Sequence, residues 1–413
     1  MLKYCFKFIL LLISSAVFAQ SKTLDFYTNS GISNSPLLKD LKNQAESNII
    51  DSLRINASYK PQVTASSTNS YAPTFKGYGY ESAITNGGSF SQLIGVTKRL
   101  VSKENLQNQY QAINLQNQLL KVSGTVSEQD IKRAIGTQYI TTYGIWQQYL
   151  FNNEVFDLLK KEEVILKKLT EKNVYRQTDY LTFLVTLQQQ QLNITQIKIQ
   201  FQNELASLNY LSGIKDTSFV TLTAPTFEAI EIPDIEQTVF YEQYKIDSLK
   251  LKNNDALIEF NYKPKVNLYA DAGHISTFAQ DPYKNFGTSF GFNIVVPIYD
   301  GKQKKMLHDK NAIAQKTITN YQGYFKSQYQ QQIAQLMQQL QATELLIKET
   351  TTQIKYTQTL IDANRKLLAT GDARMPDYIL AITNFITAKN SITQNTINKL
   401  QIINQINYWN RKN

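Results

Sequence analysis

Apolar and polar positions follow two different periods along this chain, and the switch between them occurs twice. From about Ser35 to Tyr59, Leu37, Leu38, Leu41, Ala45, Ile49 and Leu53 recur at helical spacing, with Pro36 near the start, where a helix tolerates it. The pattern stops at Lys60-Pro61, because the residue before a proline is pushed out of the helical region. A second such stretch runs from Ile246 to Tyr262 and stops at Lys263-Pro264. After each stop the period becomes two. The clearer instance is the later one, where Val266, Leu268, Ala270 and Ala272 alternate with Asn267, Tyr269, Asp271 and Gly273. Beyond a polar loop around Asp281-Pro282, Phe286, Thr288, Phe290, Phe292, Ile294 and Val296 alternate with Gly287, Ser289, Gly291, Asn293 and Val295. The first half repeats the scheme from Val63 to Tyr71 and from Phe90 to Leu100, with serine and threonine at many sites. These runs are of about ten residues, the length a tilted membrane strand needs. A hairpin on a soluble core would alternate too, but one hairpin alone is marginal, and the sequence after it holds no turn signal to fold a cover over it.

Each hairpin gives way to a long helical pattern, from about Ser102 to Lys172 and from Gly301 to Thr370. At about 1.5 Å per residue each helix would be on the order of 100 Å long. Return arms run from Asp179 to about Leu211 and from Asp377 to about Trp409. Val155, Leu158, Leu159, Leu166 and Leu169 on one arm, and Leu181, Leu184, Leu187, Leu192 and Ile194 on the other, recur at threes and fours, as helix packed on helix requires. The breaks between the arms, Asn173–Tyr180 and Gly371–Tyr378, stand 198 residues apart and share Arg176/Arg374, Asp179/Asp377 and Tyr180/Tyr378. Asp179, or Thr178 before it, can cap the return helix, and Pro376 suits a first helical turn. With Tyr59-Lys60-Pro61-Gln62-Val63 matched by Tyr262-Lys263-Pro264-Lys265-Val266, the chain reads as one duplicated unit. The repeats span 20–212 and 241–413. A connector at 213–240 holds Pro225, Pro233 and the acidic Glu228, Glu231, Asp234 and Glu236.

Composition narrows the function more than the fold. Residues 1–19 read as a secretory signal: Lys3 and Lys7, then an apolar run too short to span a membrane, then Ala16-Val17-Phe18-Ala19, giving mature Gln20. The single cysteine, Cys5, falls inside that signal, which leaves no disulfide or thiolate metal site. His274 and His308 stand too far apart in sequence for a zinc site. No nucleophile, metal or phosphate signature is present, so neither an enzyme nor a cofactor is expected. The net charge of +10 is carried by scattered lysines, with only Lys302, Lys304 and Lys305 clustered. That pattern reads as solvated helix faces rather than a nucleic-acid surface.

The order of elements, performed twice, resembles the TolC-like outer-membrane efflux proteins (the outer membrane factor family). Val296-Pro297-Ile298-Tyr299-Asp300-Gly301 is similar to that family's strand-to-helix junction. Leu205-Ala206-Ser207-Leu208-Asn209-Tyr210-Leu211-Ser212-Gly213 is similar to the end of its first return helix, and Tyr-Lys-Pro-x-Val to its approach to the barrel. The resemblance implies a mainly α fold with a membrane β-barrel contribution. Three chains would share a 12-stranded barrel in the outer membrane of a Gram-negative bacterium, continued by a periplasmic α-helical tunnel. It implies an exit duct for efflux or type I secretion, with a periplasmic adaptor (membrane fusion protein) and an inner-membrane transporter as partners. Phe290, Phe292, Ile294 and Val296 would face outer-membrane lipid, with Gly291 and Asn293 towards the lumen. Tyr71, Tyr78, Tyr80, Tyr269, Tyr283 and Phe286 would serve as interfacial girdles. Arg176, Thr178, Asp179, Arg374 and Asp377 would form the tip gate and adaptor-docking site. Leu380 stands where the family places a second ring aspartate, and the first junction, Val96-Thr97-Lys98-Arg99-Leu100-Val101-Ser102, lacks the proline and glycine. The alternative is a periplasmic coiled-coil adaptor or scaffold without a pore.

Overall fold

The structure, a computed structural model, describes residues 22–80, 88–216, 218, 220–227, 232–277, 281–372 and 374–409. The signal segment 1–19 and the connector's Glu228 and Glu231 lie outside the described residues. The element order is α1 (Leu24–Asn34), α2 (Pro36–Ser58), β1 (Gln62–Tyr71), β2 (Gly88–Leu100), α3 (Lys103–Glu171), α4 (Gln177–Leu211), α5 (Val239–Asn261), β3 (Lys265–Ser276), β4 (Phe286–Val295), α6 (Gln303–Thr370) and α7 (Met375–Trp409). The two helical breaks and both hairpins fall where the periods change. Helix α1 leaves no pattern in the sequence. Thr23 caps it by accepting from the Phe26 amide at 3.2 Å, but only Tyr27 and Gly31 of its residues are buried, too few to write an apolar stripe. Helix α5 begins at Val239, before the periodic stretch starting at Ile246.

The chain forms two compact units that cut across the two repeats. One comprises the chain up to Lys39, Gly124–Val239 and Phe325–Asn413, and the other Asp40–Ser123 and Phe240–Tyr324. The second unit holds a single antiparallel sheet in the order β1-β2-β3-β4. Its centre is the pairing of β2 with β3, which joins the hairpins of the two repeats, with Leu100 opposite Val266 and Phe90 opposite Ser276. Helices at the foot of the sheet are joined by amide hydrogen bonds as well as by ion pairs such as Lys304 with Glu259 at 2.8 Å. Asn108 and Asn253 exchange side-chain and backbone hydrogen bonds (2.8–3.3 Å), and Asn48 donates to Asn117 at 2.8 Å. None of the residues of α2 is buried, so its apolar positions Leu37, Ile49 and Leu53 stay exposed in the isolated chain.

The two strand-to-helix junctions reach the same end by different chemistry. In the second, Asp300 accepts from the Lys304 amide at 2.6 Å, and Gly301 and Lys302 take φ of 66° and 67°. That amide bond holds the Asp300 carboxyl below the usual carboxylate range. In the first, Ser102 takes the capping place and accepts from the Asn105 amide at 3.2 Å, with no left-handed residue between β2 and α3. The missing proline and glycine are therefore not needed there.

The first unit contains the helical hairpins from Gly124 of α3 and Phe325 of α6 onward. Helices α3 and α4 run antiparallel, joined by Gln138 with Glu204 and by Asn152 with Gln190, pairs that are both centred on Glu171. The Asn152 side chain is fully buried, and accepts from Gln190 at 2.9 Å and Asn193 at 3.0 Å while donating to the Gln148 carbonyl at 2.7 Å. A satisfied amide at a core position fixes the register of two helices at some cost in stability. A second core gathers Tyr27, Ile135, Tyr139, Trp146, Phe201 and Leu208. Helix α7 approaches α3 closely at two glycines. A methyl on Gly144 would overlap Ile397, and one on Gly136 would stand 2.7 Å from the Asn404 side chain, which donates to the Arg133 carbonyl.

Candidate functional site

Both helical breaks are built to one plan. The outgoing helix ends on a left-handed residue, Asn173 at φ 62° in the first and Gly371 at φ 84° in the second. The next amide returns to the last turn, Val174 to Leu169 and Asp372 to Leu367, both at 2.9 Å. This is the helix-terminating loop that satisfies orphan carbonyls. The incoming helix then starts after an arginine. Asp179 and Asp377 amides donate to the Arg176 and Arg374 carbonyls at 3.0 Å, and Tyr180 and Tyr378 amides to the same carbonyls at 3.3 Å. Thr178 and Asp179 are thus inside α4 rather than capping it from outside, because the helix starts at Gln177. Asp179 sits in the first turn and accepts from the Arg176 amide at 3.3 Å, one half of a capping box. Asp377 holds the same place in α7 and lies 3.5 Å from the Arg374 guanidinium, both side chains exposed. Pro376 occupies the second helical position, where no amide is required. Leu380, one turn on, is exposed.

The left-handed positions give a direct test. Gly371→Ala forces a Cβ into positive φ, with Val174 Cγ1 at 2.6 Å, and is expected to cost about 1 kcal/mol or more. Amide exchange over 371–378 should quicken by roughly fivefold to tenfold. Asn173→Gly, where asparagine already accepts the strained backbone, should leave exchange at the first turn within about twofold.

The sequence-picked arginines and aspartates do not join the two turns; among the described residues each aspartate serves its own turn. Other residues make the connection. Tyr175 is buried between the turns and its hydroxyl donates to the Leu368 carbonyl at 3.3 Å. Behind it a shared core contains Leu159, Leu166, Phe183, Ile361, Leu368 and Met375. In that core Arg365 Nε donates to Glu162 Oε1 at 2.7 Å. The Glu162 side chain is only 5% exposed, and its second oxygen is buried without a partner among the described residues. Tyr378 is wholly buried beside this pair; burial, then the Glu162 charge, push its hydroxyl up to about 12. Its counterpart Tyr180 is instead tied to Glu163 at 2.6 Å, and that hydrogen bond raises its pKa. Helical spacing carried the signal for the ion pair. Glu162 falls between Leu159 and Leu166, and Arg365 between Ile361 and Leu368, so both interrupt an apolar stripe.

The sheet places the other group of predicted residues. Phe290, Phe292 and Ile294 stand opposite Ala270, Leu268 and Val266 on β3, which stand opposite Val96, Lys98 and Leu100 on β2. They share one face, and Phe290 is 87% exposed. Val296 lies one residue beyond the end of β4 and is also exposed. The opposite face carries Gly291, Asn293, Asn267 and Asp271, where Ser289 donates to Asp271 at 2.8 Å. Tyr269 belongs to this polar face, since it pairs with Gly291 and Thr97 and its ring fills the space above Gly291. It therefore lies on the face away from Phe290 and Phe292, whereas Tyr71, Tyr78, Tyr80, Tyr283 and Phe286 are all exposed towards the loop end of the sheet.

No protein-family profile matches the chain, and no curated protein matches its sequence. Solved structures do match in fold. The chain is similar to CusC, described in terms of transmembrane channel formation, at TM-score 0.74 and 12% identity over 94% of this chain and 92% of that one. It is similar to the outer membrane protein VceC of Vibrio cholerae at TM-score 0.74 and 10% identity, covering 94% of this chain and 96% of that one. For the CmeC outer membrane channel of Campylobacter jejuni the TM-score is 0.72 at 12% identity, over 94% of this chain and 85% of that one. The likeness spans almost the whole chain and shows that it shares the fold of these solved outer-membrane structures.

Proposed function

We propose that the protein is the outer-membrane exit duct of a tripartite efflux or type I secretion system. One observation carries this reading: a four-stranded sheet with a single partner each for β1 and β4 and a bare face of Phe290, Phe292 and Ile294. Hydrocarbon admits neither an open strand edge nor an unsatisfied amide, so such a sheet must close with further copies of itself. Three copies make 12 strands, an even count in the range of closed membrane barrels. The unburied apolar positions of α2 support the same association, because none of the described residues covers them. The helical hairpins then continue the lumen through the periplasm towards an adaptor and an inner-membrane pump. Their turns, with Arg176, Thr178, Arg374 and Asp377 exposed and Asp179 half-buried, form the gate and the docking surface.

Single-channel recording in a planar bilayer tests this reading. Detergent-purified wild type is expected to show small, mostly closed conductance. Arg374→Ala should raise it by releasing a cation from the constriction, and Asp377→Ala should lower cation preference. A folded trimer that needs detergent but never conducts would remove the gate assignment. A protein that stays soluble without detergent would remove the duct altogether.

A further inference from the structure

Lysines that are scattered in the sequence meet at one end of the sheet. Lys98 and Arg99 lie near the end of β2, Lys263 and Lys265 at the start of β3, and Lys302 and Lys305 at the start of α6. Lys98 shares the face of Phe292, whereas Arg99, opposite Asn267, and Lys265, opposite Val295, lie on the other face. The register brings these segments together, since Leu100 pairs with Val266 and Lys265 with Val295. Of the carboxylates at this end, Glu104 at the start of α3 bonds to Ser102 and lies within reach of the Lys263 charge, and two others are committed. Glu259 accepts from Lys304 at 2.8 Å and faces His308 at 3.0 Å, and Asp300 caps α6. Among the described residues none of these six cations is in an ion pair, although Lys263 lies 4.5 Å over the Phe260 ring and its charge reaches Glu104. At the loop end of the sheet Lys284 is paired with Asp281 at 2.8 Å, and Lys76 stands in the loop after β1.

Lys98 is the informative residue. It stands opposite Leu268, which stands opposite Phe292, so a cation projects from the apolar face. On a lipid-facing surface a lysine lays its stem along the apolar side chains and carries its ammonium to the nearer headgroup layer. The nearer layer is the one beside the helices, where Ile298 and Tyr299 are also exposed as interfacial anchors. We propose that the Lys98 side of this rim, with Lys263 and Lys302 beside it, binds anionic phospholipid headgroups, the net-negative phosphodiesters of the leaflet facing the helices. The inference rests on the sheet being lipid-facing, as the duct reading requires. Each basic side chain held near an anionic surface adds to the preference, so loss of three should lower it by roughly an order of magnitude or more.

Native mass spectrometry of the full-length protein, delipidated in a neutral detergent, tests this. Phosphatidylglycerol and phosphatidylethanolamine of matched acyl chains are offered together. Wild type should retain phosphatidylglycerol over phosphatidylethanolamine by about tenfold. Lys98→Gln/Lys263→Gln/Lys302→Gln should bring the two near parity, while arginine at the same three positions keeps the preference. Three glutamines at Lys348, Lys355 and Lys366, far along α6, should change nothing. Equal retention by wild type, or loss of preference in the distant triple variant, would overturn the proposal. So would a preference that survives the three rim glutamines. A protein soluble without detergent would instead defeat the duct reading on which it rests.

Discussion

Arg365→Ala is expected to loosen the core behind the two helical turns by about 2–3 kcal/mol, chiefly by stranding Glu162. Breaking a fully buried pair costs about 3–5 kcal/mol. Arg365 keeps 42% of its side chain exposed, so solvent screening places this pair at or below the lower end of that range. The cost falls on Glu162 because its side chain has nowhere to rehydrate: one oxygen depends on Arg365 and the other already lacks a partner. Amide exchange at Tyr378, Ala381 and Ile382, which pack in the same core, should accelerate by roughly a hundredfold. Glu162→Leu/Arg365→Leu should recover most of the loss, because both positions lie in apolar stripes and two leucines need no desolvated charge. Unchanged exchange in Arg365→Ala would mean that water reaches Glu162 and that the pair is a surface contact.

Much of this architecture could be read from the sequence because it is written in periods. The switch from helical spacing to alternation places both hairpins, and the 198-residue repeat places both turns, as local backbone chemistry demands a stop at Asn173 and Gly371. Where periodicity is absent the reading fails. Helix α1 buries too few residues to form a stripe, and the capping role offered to Thr178 or Asp179 moved because the helix starts at Gln177, ahead of both. The candidate site was half legible. Exposed Arg374 and Asp377 announce themselves as a repeated pair, but the residues that join the turns, Tyr175, Glu162 and Arg365, reach partners about 200 positions away in the sequence. A charge inside an apolar stripe signals that a partner exists; only the fold says which one. Tyr269 is different: alternation along its own strand already set it apart from Leu268, and register adds that it stands opposite Gly291 and Thr97.

Phe290→Lys is expected to reveal what covers the apolar face of the sheet, because the sign of its effect depends on the solvent. Phe290 lies near the middle of β4, two residues further from the helix-side end than Phe292, and 87% of it is exposed in the isolated chain. In water, replacing an exposed phenylalanine by lysine is near neutral for the fold and improves solubility. Facing hydrocarbon near mid-depth, lysine costs about 2–4 kcal/mol per chain. Closure with three copies would multiply that cost within one assembly. Lys98 would escape it in such a barrel, because its position is closer to the rim and its stem could reach the headgroups. The control is Asn293→Lys on the opposite face, beside Asn267, where a lumen-facing lysine meets water and should be tolerated. Heat-modifiable migration of the assembled barrel in outer-membrane fractions reads the difference. Phe290→Lys should sharply reduce the assembled species and lower its melting temperature, and Asn293→Lys should leave both near wild type. Equal tolerance of the two lysines would mean that the aromatic face packs against protein or water, leaving the fold intact and the barrel without its lipid surface.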